Sequence, residues 1–258
     1  MTFIDSHCHL NYKGLVEDQV AVLERARAAG VATMLNISTR ESEWDDVVGV
    51  AERHADVWAS VGIHPHEADA HPDVDTKKLV DRARHPRTVA IGETGLDYYY
   101  DKSDRDRQRI SFRSHIAAAR EAGLPLIVHT RDAEDDTAEI LTDEMSKGAY
   151  HGVIHCFTAS AGFAQTALNL GLYISISGIV TFKNAKDLQA IAAIIPQDRL
   201  LIETDSPFLA PVPHRGRPCE PAFVADTAHY LAGLRGEPTE ELARYTSENF
   251  RRLFQKAA

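Results

Sequence analysis

Cysteine is scarce in this chain of 258 residues: there are three, Cys8, Cys156 and Cys219. They make neither an even disulfide set nor a CxxC pair, which fits a reducing compartment and speaks against a thiolate zinc site. Long apolar runs are missing as well. None approaches the ~18 residues needed to span a bilayer, and Asp5 stands where a signal peptide would be apolar. The expectation is a soluble, cytoplasmic protein with no membrane partner. Basic residues are in deficit, with 28 Lys and Arg against 38 Asp and Glu and a net charge of -10. Proteins that hold duplex DNA through many phosphate contacts show a basic face, so a general nucleic-acid coat is set aside. Phosphodiester chemistry stays open, because bound divalent cations create their own local positive field. Finally, no glycine-rich turn follows the first apolar run, where a doubly wound nucleotide-binding sheet would carry one.

What the chain does have is alternation. With 44% apolar residues it can bury one large core, as a single barrel or as two smaller domains. Eight short β-rich runs occupy 3–7, 32–37, 57–63, 88–92, 126–129, 153–157, 173–177 and 200–204. Stretches with helical periodicity fill 16–29, 44–54, 76–84, 104–122, 133–147, 161–170 and 185–195, and two more follow at 221–234 and 239–256. Gly30, Gly123 and Gly171 sit where helices should stop, each just ahead of a new apolar run. Eight β-α units without a linker predict an α/β fold: one (β/α)8 TIM barrel over 1–258 with additional C-terminal helices.

Buried parallel strands are apolar on both faces, so polar residues at their carboxyl ends stand out. The first run ends in His7 and His9, two residues apart and therefore on one face of a strand, which makes half of a metal site. The third ends in His64 and His66, the fourth in Glu93 and Asp97, the fifth in His129 and Arg131, the sixth in His155, and the eighth in Glu203 and Asp205. Barrel enzymes keep their active sites on this face, and six converging N and O donors there predict a metal centre.

Three segments carry a resemblance. They are Phe3-Ile4-Asp5-Ser6-His7-Cys8-His9-Leu10-Asn11, Pro125-Leu126-Ile127-Val128-His129-Thr130-Arg131-Asp132 and Leu200-Leu201-Ile202-Glu203-Thr204-Asp205-Ser206-Pro207, with Gly92-Glu93-Thr94-Gly95-Leu96-Asp97 as a fourth. Over essentially its whole length the chain resembles the TatD family of metal-dependent hydrolases, within the wider amidohydrolase-like barrels. The resemblance implies a divalent-metal-dependent deoxyribonuclease, a 3'-to-5' exonuclease with single-stranded DNA as its partner. It also implies that His7, His9 and Asp205 hold one ion, that His129 and His155 hold the other, and that Glu93 bridges them. A bridging carboxylate suits ions ~3.5 to 4 Å apart. Zinc, manganese and magnesium all remain open as the two divalent ions.

The remaining roles are less tightly specified. Asp205 could also accept the proton of the nucleophilic water, with Glu203 either the base or a buried partner of a ligand. Arg131 shares a face with His129, where it could hold a phosphate or pair with a ligand carboxylate. His64 is read as a substrate contact, as proton donor to the leaving oxygen, or as a structural hydrogen-bonder. Asp97 and Tyr98-Tyr99-Tyr100 are assigned to loop packing ahead of base stacking. Asp5 is placed behind a ligand, and Cys8 in the packing. Three function classes follow: a phosphodiesterase, a hydrolase of amides, esters or lactones using the same ligands, and a non-catalytic metal binder. Arg131, Lys183, His214 and Arg215 are the cationic candidates whose presence near the metals would favour the first.

Overall fold

The structure, a computed structural model, describes residues 1–257. Eight parallel strands pair in sequential order: β1 (Phe3–Cys8), β2 (Val31–Asn36), β3 (Val57–Val61), β4 (Thr88–Asp97), β5 (Leu126–Arg131), β6 (Gly152–Ile154), β7 (Tyr173–Ile176) and β8 (Leu200–Ile202). The ring closes just past β8, where the Asp205 amide donates to His7 O (2.9 Å) and the His9 amide to Ser206 O (2.8 Å). Helices α1 (Gln19–Ala28), α2 (Trp44–Arg53), α3 (Thr76–Ala83), α4 (Arg105–Ala122), α5 (Glu134–Lys147), α6 (Ala161–Asn169) and α7 (Lys186–Ile194) alternate with the strands, and α8 (Val224–Arg235) and α9 (Thr239–Leu253) follow. This is the TIM barrel that the alternation predicts.

Local signals explain the boundaries. Asp104 caps α4, accepting from the amides of Asp106 and Arg107, and Gly123 ends it in the left-handed conformation at φ 64°. No helix among the described residues is long and apolar enough to cross a membrane.

Side-chain parity divides the core in two. Met34, Leu126, Val128, Ile154, Leu200 and Ile202 face the helices in the large outer cluster. Ile4, Leu35, Val89, Ile127, Val153, Tyr173 and Leu201 form a second cluster inside the ring, joined by Phe250, Leu253 and Phe254 of the C-terminal segment. The last three plug the end of the barrel where the strands begin. Lys256 seals the same end, its ammonium donating to the carbonyls of His85 (2.8 Å) and Thr88 (2.7 Å).

Followed toward the strands' carboxyl ends, the inward parity changes from apolar to polar: Ile127 gives way to His129 and Arg131, Val153 to His155, and Leu201 to Glu203 and Asp205. Strand β4 runs to Asp97, past the end expected at Gly92. Gly95 pairs with His129 in β5, and a Cβ there would collide with the carbonyl oxygen of His129. The glycines that look like a stop signal are what allow β4 to continue against β5 at this distance. By contrast β6 and β8 end early, and the chain turns aside through Cys156 (φ 42°) and Asp205 (φ 57°).

Candidate metal centre

The two oxygens of Glu93 face different groups of histidines. Oε1 lies 2.8 Å from His155 Nε2 and 3.1 Å from His129 Nδ1. Oε2 lies 3.2 Å from His7 Nε2 and 3.9 Å from His9 Nε2. Asp205 completes the second group, with Oδ1 3.4 Å from His9 Nε2 and 3.7 Å from His7 Nε2. The structure therefore brings together all six residues put forward as ligands.

Each group passes a simple test of fit. His7 Nε2 and His9 Nε2 face one another at 3.3 Å, as do His129 Nδ1 and His155 Nε2 at 3.3 Å. Imidazole nitrogens aimed at a shared point beside buried carboxylates have the donor chemistry of a divalent-cation site. Burial alone would raise Glu93, but His155, His64 and His7 outweigh it and hold the carboxyl well below its usual range. Asp205 is likewise lowered: burial opposes, and the hydrogen bond from His9 with the charges of His7 and His9 prevails. Both shifts favour the ionised carboxylate, the form that binds a cation.

The histidines are held in two ways. His155 Nδ1–H donates to Glu203 Oε1 (3.2 Å), and His129 Nε2–H donates to Asp97 Oδ2 (3.2 Å), so each ring presents its other nitrogen to Glu93. His7 and His9 have no hydrogen-bond partner at Nδ1 among the described residues. They are fixed by stacking instead, His7 on His155 (3.9 Å between centroids) and His9 on Tyr12 (4.6 Å).

Glu203 is fully buried, and its Oε1 also accepts from the Cys156 amide at 2.7 Å. Asp5 bonds to no ligand ring. Its carboxyl accepts from Thr204 N (2.9 Å), Thr204 Oγ1 (2.6 Å) and the His7 amide, tying β1 to the end of β8, and burial pushes it up to about 8. Cys8 is buried, its thiol toward Leu35 O.

His64 Nε2 points at Glu93 Oε1 from 3.4 Å, while its Nδ1 accepts the His66 amide at 3.1 Å. That bond assigns the ring proton to Nε2, and burial lowers the ring to about 4, so His64 is a neutral donor aimed into the site.

A cavity of about 690 Å³ opens above these groups. Arg131 lines it, with its guanidinium 3.9 Å from the Tyr99 ring centre and no ion pair to a ligand carboxylate among the described residues. The other cationic candidates lie elsewhere. His214 donates to Asp226 (3.0 Å) and stacks on Phe223, Arg215 sits over Phe182, and Lys183 is not in the lining. Arg40 and Lys102 take their place.

Asp97 is the residue most underrated by its sequence context. It sits within a strand, not a loop, and its Oδ2 accepts from both His129 and His66 (2.8 Å) while Oδ1 accepts from the amides of Tyr99 and Tyr100. Its even spacing from Glu93, on the same face once β4 is taken past Gly95, was the available signal. Tyr98 does pack, donating to Asp136 at 2.6 Å, whereas Tyr100 lines the cavity.

Comparison with known proteins agrees with this geometry. Residues 4–255 match the family described as TatD related DNase. The chain is 46% identical to the metal-dependent hydrolase YcfH of Escherichia coli K12, over 98% of this chain and 96% of that one. It is 36% identical to the Erwinia tasmaniensis 3'-5' ssDNA/RNA exonuclease TatD, over 97% and 98% of the two chains. The crystal structure of the Escherichia coli TatD homologue YjjV superposes with a TM-score of 0.92 at 31% identity, covering 98% of each chain. With the donor set in place and a match running nearly end to end, the chain belongs to the TatD-related DNase family and is a metal-dependent hydrolase of ester bonds.

Proposed function

We propose that this protein is a deoxyribonuclease that removes nucleotides from the 3' end of single-stranded DNA, using two divalent ions to hydrolyse the phosphodiester. The observation that carries the two-ion reading is the division of Glu93 between two histidine groups. His7, His9 and Asp205 would hold one ion, His129 and His155 the other, and Glu93 both. Such ions lower the pKa of water and neutralise charge developing on a phosphoryl oxygen. The exonuclease named in Erwinia tasmaniensis supports the substrate assignment.

The chain's own residues divide the remaining work. Asp205 is the general base: its side chain is 15% exposed toward the cavity, whereas Glu203 is sealed off with one oxygen committed to His155 and the Cys156 amide. His64 donates from Nε2 to a phosphoryl or leaving oxygen, since its other nitrogen is occupied by the His66 amide. Arg131 and Lys102 steady the phosphate chain. The three free cysteines suit a protein that works in the reducing cytoplasm.

The cationic lining favours phosphodiesters over the amide, ester and lactone substrates that the same ligands support. Turnover of single-stranded oligonucleotides against a panel of amides and lactones, with and without chelator, tests the reading. Chelator-sensitive release of mononucleotides from the 3' end is expected. Turnover confined to carbonyl substrates would replace it with the alternative, and undiminished activity in chelator would remove the metal from the mechanism.

A further inference from the structure

Resting on the phosphodiesterase reading, we propose that Phe208, Leu209, Ile179 and Tyr12 form a subsite that receives one nucleobase of the substrate strand. The cavity is polarised across the barrel. In a ring of eight strands in sequential order, β4 and β5 stand opposite β8 and β1. From the β4 and β5 side come Tyr100, Lys102 and Arg131; from β7, β8 and β1 come Ile179, Phe208, Leu209 and Tyr12. Arg40, which lines the cavity from the loop after β2 beside this second wall, is paired with Glu43 at 2.9 Å. A pocket with cations on one wall, aromatic and aliphatic surface on the other, and the ion-holding groups between them matches a ligand with the same asymmetry. A nucleotide within a chain has it: a flat base at one end and a further phosphate at the other.

Phe208 is held in place, although the residue is 50% exposed. Its amide donates to Asp205 O (3.0 Å), and Pro207 O accepts from Cys219 N (3.0 Å), which pins the turn that carries it. The ring meets Tyr12 edge-on (6.1 Å, 85°) and His9 likewise (6.3 Å, 70°). Tyr12 is itself anchored by a 2.6 Å hydrogen bond to Thr39 Oγ1. The aromatic surface is therefore registered to two residues of the metal centre, Asp205 and His9. A single exposed aromatic is ordinary. One rigidly indexed to a hydrolytic centre, with an apolar floor beside it, is a stacking platform.

The test uses fluorescein-labelled phosphorothioate oligo(dT), which resists cleavage, and a series of the same strand with an abasic analogue at each position in turn. Binding is followed by anisotropy in manganese, with metal content measured on every sample. Phe208→Ala and Phe208→Leu are expected to weaken binding about 5- to 150-fold, the range of a lost base stack, and Phe208→Trp to retain it. The abasic analogue at one position should cost the wild type a similar factor and cost Phe208→Ala nothing more. Unchanged binding by Phe208→Ala, a penalty that persists with every abasic strand, or a loss that tracks loss of metal would each overturn the subsite. If the wild type cleaves DNA while these series are flat, the subsite alone falls. If the wild type neither binds nor cleaves oligonucleotides, the phosphodiesterase reading falls with it.

Discussion

Asp97 Oδ2 lies 3.2 Å from His129 Nε2, on the edge of the ring opposite the nitrogen that faces Glu93. Burial opposes ionisation of this carboxyl, but the hydrogen bonds from His129 and His66 and from the Tyr100 amide hold it far below the usual range. An ionised acceptor there fixes both the tautomer and the rotation of the ligand ring. Asp97→Ala should weaken divalent-ion binding about 10- to 100-fold with the fold intact. His66→Ala, which removes the other donor to the same oxygen, should have a much smaller effect. Calorimetric titration with manganese, alongside circular dichroism, checks both.

Glu93 and Arg131 should separate cleanly. Removing the carboxylate shared by both histidine groups should deplete Glu93→Ala of metal, whereas Arg131→Ala should keep its metal and lose ~10² to 10³ in rate, as for one electrostatic donor. Glu93→Ala should fall further. Elemental analysis beside rate measurements decides, and equal losses at unchanged metal content would contradict the bridging role.

Asp205→Asn preserves shape and one oxygen while removing a base. Turnover should collapse while oligonucleotide binding persists. Titrating the variant with manganese distinguishes a missing base from a missing ion. Recovery of near wild-type turnover at saturating metal would eliminate Asp205 as the base.

His115, on α4, supports the end of β3: its Nε2 accepts the Ile63 amide at 2.9 Å and its Nδ1–H donates to Ser111 O at 2.7 Å. Only the neutral ring can accept that amide, and burial lowers it to about 4 from an ordinary 6.5. Between these values the unfolded chain binds the proton more tightly than the folded one. Its stabilising contribution is therefore complete above the unfolded value, is lost as pH falls toward the folded value, and is constant below that. The loss amounts to about 3 kcal/mol. His115→Gln, which can still accept the amide but does not titrate, should flatten this part of the pH profile in denaturant unfolding. Parallel profiles for the two proteins would refute it.

The barrel was legible because its signals are local and repeated: β-rich runs alternate with helical periodicity along the chain, and stop glycines mark three of the helix ends. The ligands were legible too, since a polar side chain at the end of an otherwise apolar strand is costly to bury unless it has a partner to bind. What could not be read depends on distances between segments. Asp97 is assigned to a loop because the fourth β-rich run is ended at Gly92, and only the approach of β5 shows that Gly92 and Gly95 lie within a longer strand. His214 and Arg215 lie downstream of the metal-ligand motif, yet Phe223 and Phe182 hold them aside. Arg40 and Phe208 carry no motif of their own, and only the curvature of the ring turns them toward one cavity.

The plug formed by Phe250, Leu253 and Phe254 has a bearing on synthesis. These side chains cover Ile4 and the lower layer of the other strands, and Asn249 Nδ2 donates to Leu200 O at 2.9 Å, so the first strand and the last share a partner made after both. At translation rates of ~5–20 residues per second, β1 waits on the order of 10 to 50 s before the segment that covers it leaves the ribosome. Throughout that interval the nascent chain carries an unsealed apolar interior. The step most exposed to aggregation, and to any chaperone that guards against it, therefore waits on the synthesis of α9 and the residues just after it, and a ribosome stalled within α9 would hold a barrel whose ligands are all made but whose base is open.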